Sequence, residues 1–130
     1  MSSKTVEELY AAFAAGDPAR LLATLHPDLV LTVSAGMPLG VGGGHHGPQD
    51  ALRDCWGVIV TAYETAPVPE EFVWPGTERC VVFGHYRGRV RATGAPFEAA
   101  FAHDLRLRDD LIVAFTQITD TAEWPDVPAA

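Results

Sequence analysis

The residues best placed to do chemistry in this chain lie between Phe97 and Asp120. Phe97, Ala99, Phe101, His103, Leu105 and Leu107 alternate with Glu98, Ala100, Ala102, Asp104, Arg106 and Arg108. A period of two describes a strand with one apolar face and one mixed-to-polar face, and His103 sits in the middle of the apolar one. Asp109-Asp110 punctuates, and Leu111 to Thr119 reads as a returning strand that ends at Asp120. Imidazole and carboxylate are the side chains most used as general acids and bases, so His103 and Asp120 form the candidate pair. Each also has a structural reading. His103 fits a core histidine satisfied by Tyr86 or a backbone group, and Asp120 fits a turn cap. Parity separates the two further. If Val113, Phe115 and Gln117 face inward, Asp120 has the opposite parity unless the strand bulges or ends first. Gln117 then becomes the polar residue facing a pocket.

Other polar residues are weaker candidates. His45 and His46 close a stretch, Ser34 to Gly47, that holds six glycines. No Cys, Asp or Glu stands beside them at ligand spacing, so a position on the rim of the fold is expected and no metal. Val82, Gly84 and Tyr86 share one parity and Val81, Phe83 and His85 the other. Tyr86 is expected inward, with His85 outward near a dimer face. Arg87, Arg89 and Arg91 read as a solvated or interface stripe. Cys55 and Cys80 are expected to be free buried thiols.

The elements that must position these residues follow in order. Thr5 to Glu8 fits a capping box, and Val6, Leu9, Tyr10 and Phe13 are spaced for a helix to Ala15 that Gly16 ends. Asp17-Pro18 starts a second helix, with Leu21, Leu22 and Leu25 buried and His26-Pro27 as its stop. Asp28 to Val33 suits a strand. The glycine-rich stretch is expected to be a loop without regular structure. A third helix opens at Gly47-Pro48 and carries the stripe Leu52, Cys55, Trp56, Ile59, Val60 and Tyr63. Pro67 and Pro69 end that region, Glu71 to Trp74 reads as a short strand, and Arg79 to Val90 as a long one. The tail after Thr121 is expected to be loosely held.

At 130 residues the chain is read as one domain, 1–130, with its core over about 5–121. A hydrophobic content of 48% with 20% charged residues is that of a globular protein. Nine basic against seventeen acidic residues give a formal charge of −8, which argues against nucleic acid or an anionic membrane as partner. No apolar run approaches a membrane span or a signal peptide, so a cytoplasmic location is expected. Helices first, then strands joined by short turns, indicate an α+β fold with a mostly antiparallel sheet. Strong twist in such a sheet leaves room for a pocket.

Two groups of residues carry a family resemblance. Leu9-Tyr10-Ala11-Ala12-Phe13-Ala14-Ala15-Gly16-Asp17, followed by Leu21-Leu22 and Pro27-Asp28, resembles the opening of the nuclear transport factor 2-like superfamily. Gly84-His85-Tyr86-Arg87-Gly88-Arg89, with Phe101-Ala102-His103 and Gln117-Ile118-Thr119-Asp120-Thr121, resembles its SnoaL-like branch, which includes polyketide cyclases and is related to ketosteroid isomerase. The resemblance implies a cone-shaped, strongly curved sheet packed on three helices, a pocket for a small apolar molecule, and a homodimer. It places His103 where the isomerases carry an acid that hydrogen-bonds a developing enolate. It places Val33 or Ser34 where they carry their base, and Leu9 where they carry a first-helix tyrosine, with Tyr10 one residue out of register. The cyclase arrangement, a His on one strand and an Asp near the end of the last, matches His103 and Asp120. The implied function is cofactor-free acid–base chemistry (cyclase, isomerase or lyase) on an apolar carbonyl compound, with Tyr10, Trp56, Tyr86, Phe101, Phe115 and Gln117 around the ligand. The alternative is a catalytically inert binding or dimerisation domain with the same pocket. Asp109-Asp110 stands where related chains usually carry Asp-Gly, which points to a different turn type.

Overall fold

The computed structural model describes residues 2–128. Helices α1 (Ser2–Ala15) and α2 (Pro18–Leu22) lead into strand β1 (Leu25–Val33). A 3-10 turn (Pro38–Gly40) and strand β2 (Gly43–His46) follow. Next come α3 (Pro48–Ala51), a π-helical turn (Leu52–Trp56) and α4 (Gly57–Ala62), which run on without a break as one helical body. Strands β3 (Tyr63–Gly76), β4 (Arg79–Val90), β5 (Pro96–Arg108) and β6 (Leu111–Thr119) complete the sheet, and a 3-10 turn (Thr121–Glu123) ends it. The six strands lie in the order β2-β1-β6-β5-β4-β3, and the sheet does not close on itself. All neighbours are antiparallel except β1 and β6, so the fold is α+β with a mixed, mostly antiparallel sheet.

The alternation in β5 is realised residue by residue: Ala99, Phe101, His103, Leu105 and Leu107 are all buried. They pack with Val82 and Val90 of β4, Ile112 and Phe115 of β6, Leu29 and Leu31 of β1, and Val6 and Leu9 of α1. Several local expectations change. Thr5 lies inside α1, which starts at Ser2, and its hydroxyl donates to the Asp110 carbonyl at 2.6 Å, while Glu8 pairs with Arg20. No capping box forms there. Pro27 falls inside β1, after α2 has ended at Leu22. The glycine-rich stretch is not all loop, because Gly43–His46 pairs with Val30–Val33. Pro67 and Pro69 do not break the chain either. They lie within β3, which is an edge strand paired on one side to β4, so their missing N–H groups interrupt no ladder.

Two further corrections concern the ends of strands. Asp109 and Asp110 both have positive φ, 54° and 59°, as a two-residue type I′ turn demands. The turn type is kept although neither residue is glycine. The tail is docked as far as it is described: Trp124 is buried with its ring 4.8 Å from Phe97 and 5.0 Å from Tyr86, and the Tyr63 hydroxyl donates to the Pro125 carbonyl at 2.5 Å.

Curvature of the sheet depends on β4. A Cβ at Gly84 would lie 2.0 Å from the Val68 carbonyl oxygen and 2.8 Å from the Phe101 ring. A Cβ at Gly88 would lie 1.9 Å from the Glu64 carbonyl oxygen. Both glycines therefore let β3 cross closely over β4, on the inward parity shared with Tyr86. Gly84→Ala is expected to destabilise the fold by about 1–3 kcal/mol, the usual cost of overpacking. Urea unfolding with an unchanged m-value would show it as a lowered midpoint.

Candidate functional site

Two of the eight residues singled out from the sequence, Trp56 and Tyr86, line a cavity of about 620 Å³ that opens to solvent. Its wall is formed by the C-terminal half of α1, the π turn and α4, and the facing stretches of β3 and β4, with Phe13, Leu52, Ile59 and Pro67 among the apolar lining. Directly behind it is a buried layer containing Tyr10, Phe101, His103, Phe115 and Gln117. Asp120 is in neither. It lies exposed where β6 ends, its N–H on the Ala100 carbonyl, and it starts the last 3-10 turn.

His103 is completely buried. Its ring stacks on Phe101 at 4.0 Å between centroids and meets Phe115 at 4.7 Å. Both ring nitrogens are taken: Tyr10 Oη lies 2.7 Å from Nδ1 and Tyr86 Oη 2.8 Å from Nε2. Neither nitrogen is left for Asp120. Burial without a counter-charge pushes the imidazole pKa down to about 3, so it is neutral at physiological pH. Burial also raises the pKa of both phenols, with the Gln117 hydrogen bond pulling Tyr86 part of the way back. All three groups therefore keep their neutral forms, and the site is a hydrogen-bond chain rather than an ion pair.

Counting donors lets that chain run in one of two directions, set by which phenol donates to the ring. The backbone N–H of Ser34 donates to Gln117 Oε1 at 3.2 Å, which orients the amide so that Nε2 donates to Tyr86 Oη at 3.3 Å. On the other side, Tyr10 is buried and its hydroxyl has His103 Nδ1 as its partner. When Tyr10 donates to Nδ1, its buried hydroxyl is satisfied. The neutral imidazole then carries its hydrogen on Nε2 and donates to Tyr86 Oη. Both lone pairs of Tyr86 are thereby filled, by His103 and by Gln117. In that direction the hydrogen left over is that of Tyr86, the one member of the chain that lines the cavity.

The sequence placed some of this well. His103 and Gln117 face inward, and Tyr86 rather than His85 shares their side. His85 lies on the opposite face with Nδ1 2.6 Å from Glu70. Val113 does not share the inward parity of Phe115, because the ladder slips between Arg106 and Leu107, pairing Ala114 and then Ile112. Ile112 takes the buried position. Ser34, where the resemblance puts a base, instead contributes its N–H and a hydroxyl that donates to the Gln117 carbonyl at 3.1 Å. Tyr10, one residue out of the expected helical register, does point inward. His45 uses Nε2 on the Val41 carbonyl at 2.7 Å, and no group of three or more potential metal ligands occurs among the described residues. Cys55 and Cys80 are free and buried, their thiols pushed up by burial to about 12 and about 11. No helix among the described residues is long and apolar enough to cross a membrane.

A SnoaL-like domain model matches residues 6–115. The chain belongs to the SnoaL-like domain family. Among solved structures, an NTF2-like protein of unknown function from Burkholderia pseudomallei K96243 is 35% identical, with a TM-score of 0.83 over 93% of this chain and 92% of that one. TerC, co-crystallised with polyporic acid, is 26% identical, with a TM-score of 0.83 over 93% of this chain and 92% of that one. IdmH of Streptomyces antibioticus, provisionally assigned as a polyketide cyclase, is 25% identical, with a TM-score of 0.76 over 95% and 94%. No curated protein matches this SnoaL-like chain.

The neutral histidine makes a prediction about stability. Its pKa is lowered on folding, from an ordinary 6.5 to about 3, so the unfolded chain binds more protons between those values. Stability contributed by neutral His103 is therefore present above pH 6.5 and is lost as pH falls toward 3. In His103→Gln, which has no titrating ring, the urea midpoint should decline less steeply with acid over that window. The difference in slope should approach one proton, measured by chemical denaturation at a series of pH values.

Proposed function

We propose that this chain is a cofactor-free enzyme of the cyclase, isomerase or lyase kind that binds an apolar carbonyl compound and stabilises its enol or enolate oxygen through Tyr86. One observation carries the reading. Tyr86 belongs both to the cavity wall and to the buried hydrogen-bond chain, and with Tyr10 donating to His103 its hydroxyl hydrogen is the one left as a donor. A donor held in a low-dielectric setting stabilises charge that develops on a carbonyl oxygen far better than water does. His103 acts here as a positioning residue: it fills a Tyr86 lone pair and holds the phenol. Gln117 does the same from the other side, and Tyr10 fixes the imidazole tautomer.

Two carboxylates stand on the cavity rim and both are engaged. Asp17 caps α2 through the Arg20 N–H, and Glu64 pairs with Arg89 at 2.9 Å. Asp120, the base implied by resemblance, is exposed at the end of β6. The reaction best matched to this wall is one whose substrate already has an acidic C–H, as between two carbonyls. Water or a rim carboxylate takes that proton, the carbonyl oxygen gains charge against Tyr86, and the new enolate carbon attacks a second carbonyl of the same molecule, whose π bond opens to an alkoxide that takes the proton back. The engaged carboxylates favour a second reading, an inert binding domain with the same cavity. The co-crystal of TerC with polyporic acid and the cyclase assignment of IdmH support small-molecule binding and chemistry, respectively, in relatives.

Solvent-deuterium exchange at the methylene between the two carbonyls of 1-(2-naphthyl)butane-1,3-dione, followed by NMR, separates the two readings. The enzyme reading expects exchange above the buffer rate, reduced about 100-fold in Tyr86→Phe, the usual loss for one oxyanion donor. Binding of the diketone with exchange at the buffer rate would leave the inert domain.

The reading includes a homodimer formed through the sheet face turned away from the helices. Val68, Phe83 and Ile118 are exposed there at 40%, 42% and 60%, and beside them the outward-facing His85 and Arg87 pair with Glu70 and Glu98. A face that carries both signs of charge around an apolar centre suits a second copy of itself. Sedimentation of the wild type at micromolar concentration should report a dimer and of Phe83→Glu a monomer. A wild-type monomer would contradict the assignment.

A further inference from the structure

We propose that the mouth of the cavity is a carboxylate subsite centred on Arg91, so that the preferred ligand is a flat keto acid whose acid group lies remote from the carbonyl held by Tyr86. The inference rests on the carbonyl-binding role of Tyr86 proposed above. Six arginines of the chain (Arg20, Arg53, Arg79, Arg87, Arg89 and Arg108) are paired with carboxylates. Arg91 lines the cavity and has no ion pair among the described residues. It is nevertheless held in place: its N–H donates to the Ala62 carbonyl at 3.0 Å and its Nε to the Val60 carbonyl at 2.8 Å. Those contacts tie the residue to the C-terminal end of α4 and occupy the Nε–H, while the Nη hydrogens remain for a ligand. A guanidinium already fixed along one edge loses little freedom when the other edge takes a carboxylate.

The rest of the wall adds donors. The Trp56 indole N–H has no acceptor among the described residues and is not a buried orphan, so it faces accessible space in a residue that lines the cavity. Tyr86, Trp56 and Arg91 of the wall each offer donor capacity. Asp17 and Glu64 on the rim are occupied by the α2 cap and by Arg89. A carboxylate satisfies those donors. Apolar walls formed by Phe13, Leu52 and Trp56 favour a ring system between the two polar ends.

Calorimetric titration with 2-acetonaphthone and with 6-acetyl-2-naphthoic acid tests this on the intact chain. The acid should bind about 10-fold tighter than the ketone. Arg91→Gln should remove that advantage and leave ketone affinity unchanged, while Tyr86→Phe should weaken both probes and keep the advantage. Ketone binding with no gain from the acid, or equal loss of both probes in Arg91→Gln, overturns the carboxylate subsite and leaves the Tyr86 reading standing. Failure of both probes to bind the wild type overturns the two together.

Discussion

Burying one imidazole completely sets the conditions that the rest of this structure meets. A ring with two nitrogens at 0% exposure needs a partner for each, because an unsatisfied buried polar group costs about 1–3 kcal/mol. The partners come from different elements: Tyr10 from α1 and Tyr86 from β4, with His103 itself on β5. Gln117 of β6 extends the chain to Ser34, the residue after β1. One continuous run of hydrogen bonds thus ties a helix to three neighbouring strands and to the end of a fourth. The same run determines the protonation states, since no charged group enters it.

The sheet supplies the geometry. Gly84 and Gly88 let β3 lie so close over β4 that a methyl group at either would strike a carbonyl oxygen. The bulge between Pro69 and Glu71 re-aims the outer edge, sending Glu70 to His85 and Arg87 on the far face. Curvature between these points carries Tyr86 to the junction of core and cavity. There its ring packs on Phe101 at 5.0 Å and on Trp124 at 5.0 Å. A phenol wedged between two rings has little freedom to turn away, so the direction of its hydroxyl is set by packing as well as by hydrogen bonds.

What was legible in the sequence followed from short-range periodicity. The alternation in β5 gave the inward side of His103, and parity gave Gln117 and Tyr86. Long-range pairing was not legible. Proline signals a break unless the strand is an edge, and edge position depends on sheet order, so β3 could not be read through Pro67 and Pro69. Strand β2 is built from Gly43, Gly44, His45 and His46, which have no strand character of their own and are held by β1. The bulge that turns Val113 aside leaves no local mark. Arg91 shares the spacing of Arg87 and Arg89, yet β4 ends at Val90, and the turn that follows takes Arg91 out of the stripe. Family resemblance gave the fold correctly. It did not identify which polar residue reaches the cavity.

Neutral His103 also changes what kind of chemistry the site favours. As an imidazolium it would be a general acid, and as an ordinary imidazole a base, but with a pKa near 3 it is a poor proton acceptor at pH 7. What it keeps is one directed N–H and a fixed orientation. With Tyr10 as the donor, the polarity of the chain, Tyr10 to His103 to Tyr86, moves donor capacity toward the cavity without placing a charge in the core. Stabilisation of this sort is worth most when the substrate supplies its own acidity and the protein supplies the oxyanion partner. In the proposed function, selectivity comes from where the donors stand, so the positions of Tyr86, Trp56 and Arg91 around one apolar cavity bear more on the choice of ligand than the identity of any base.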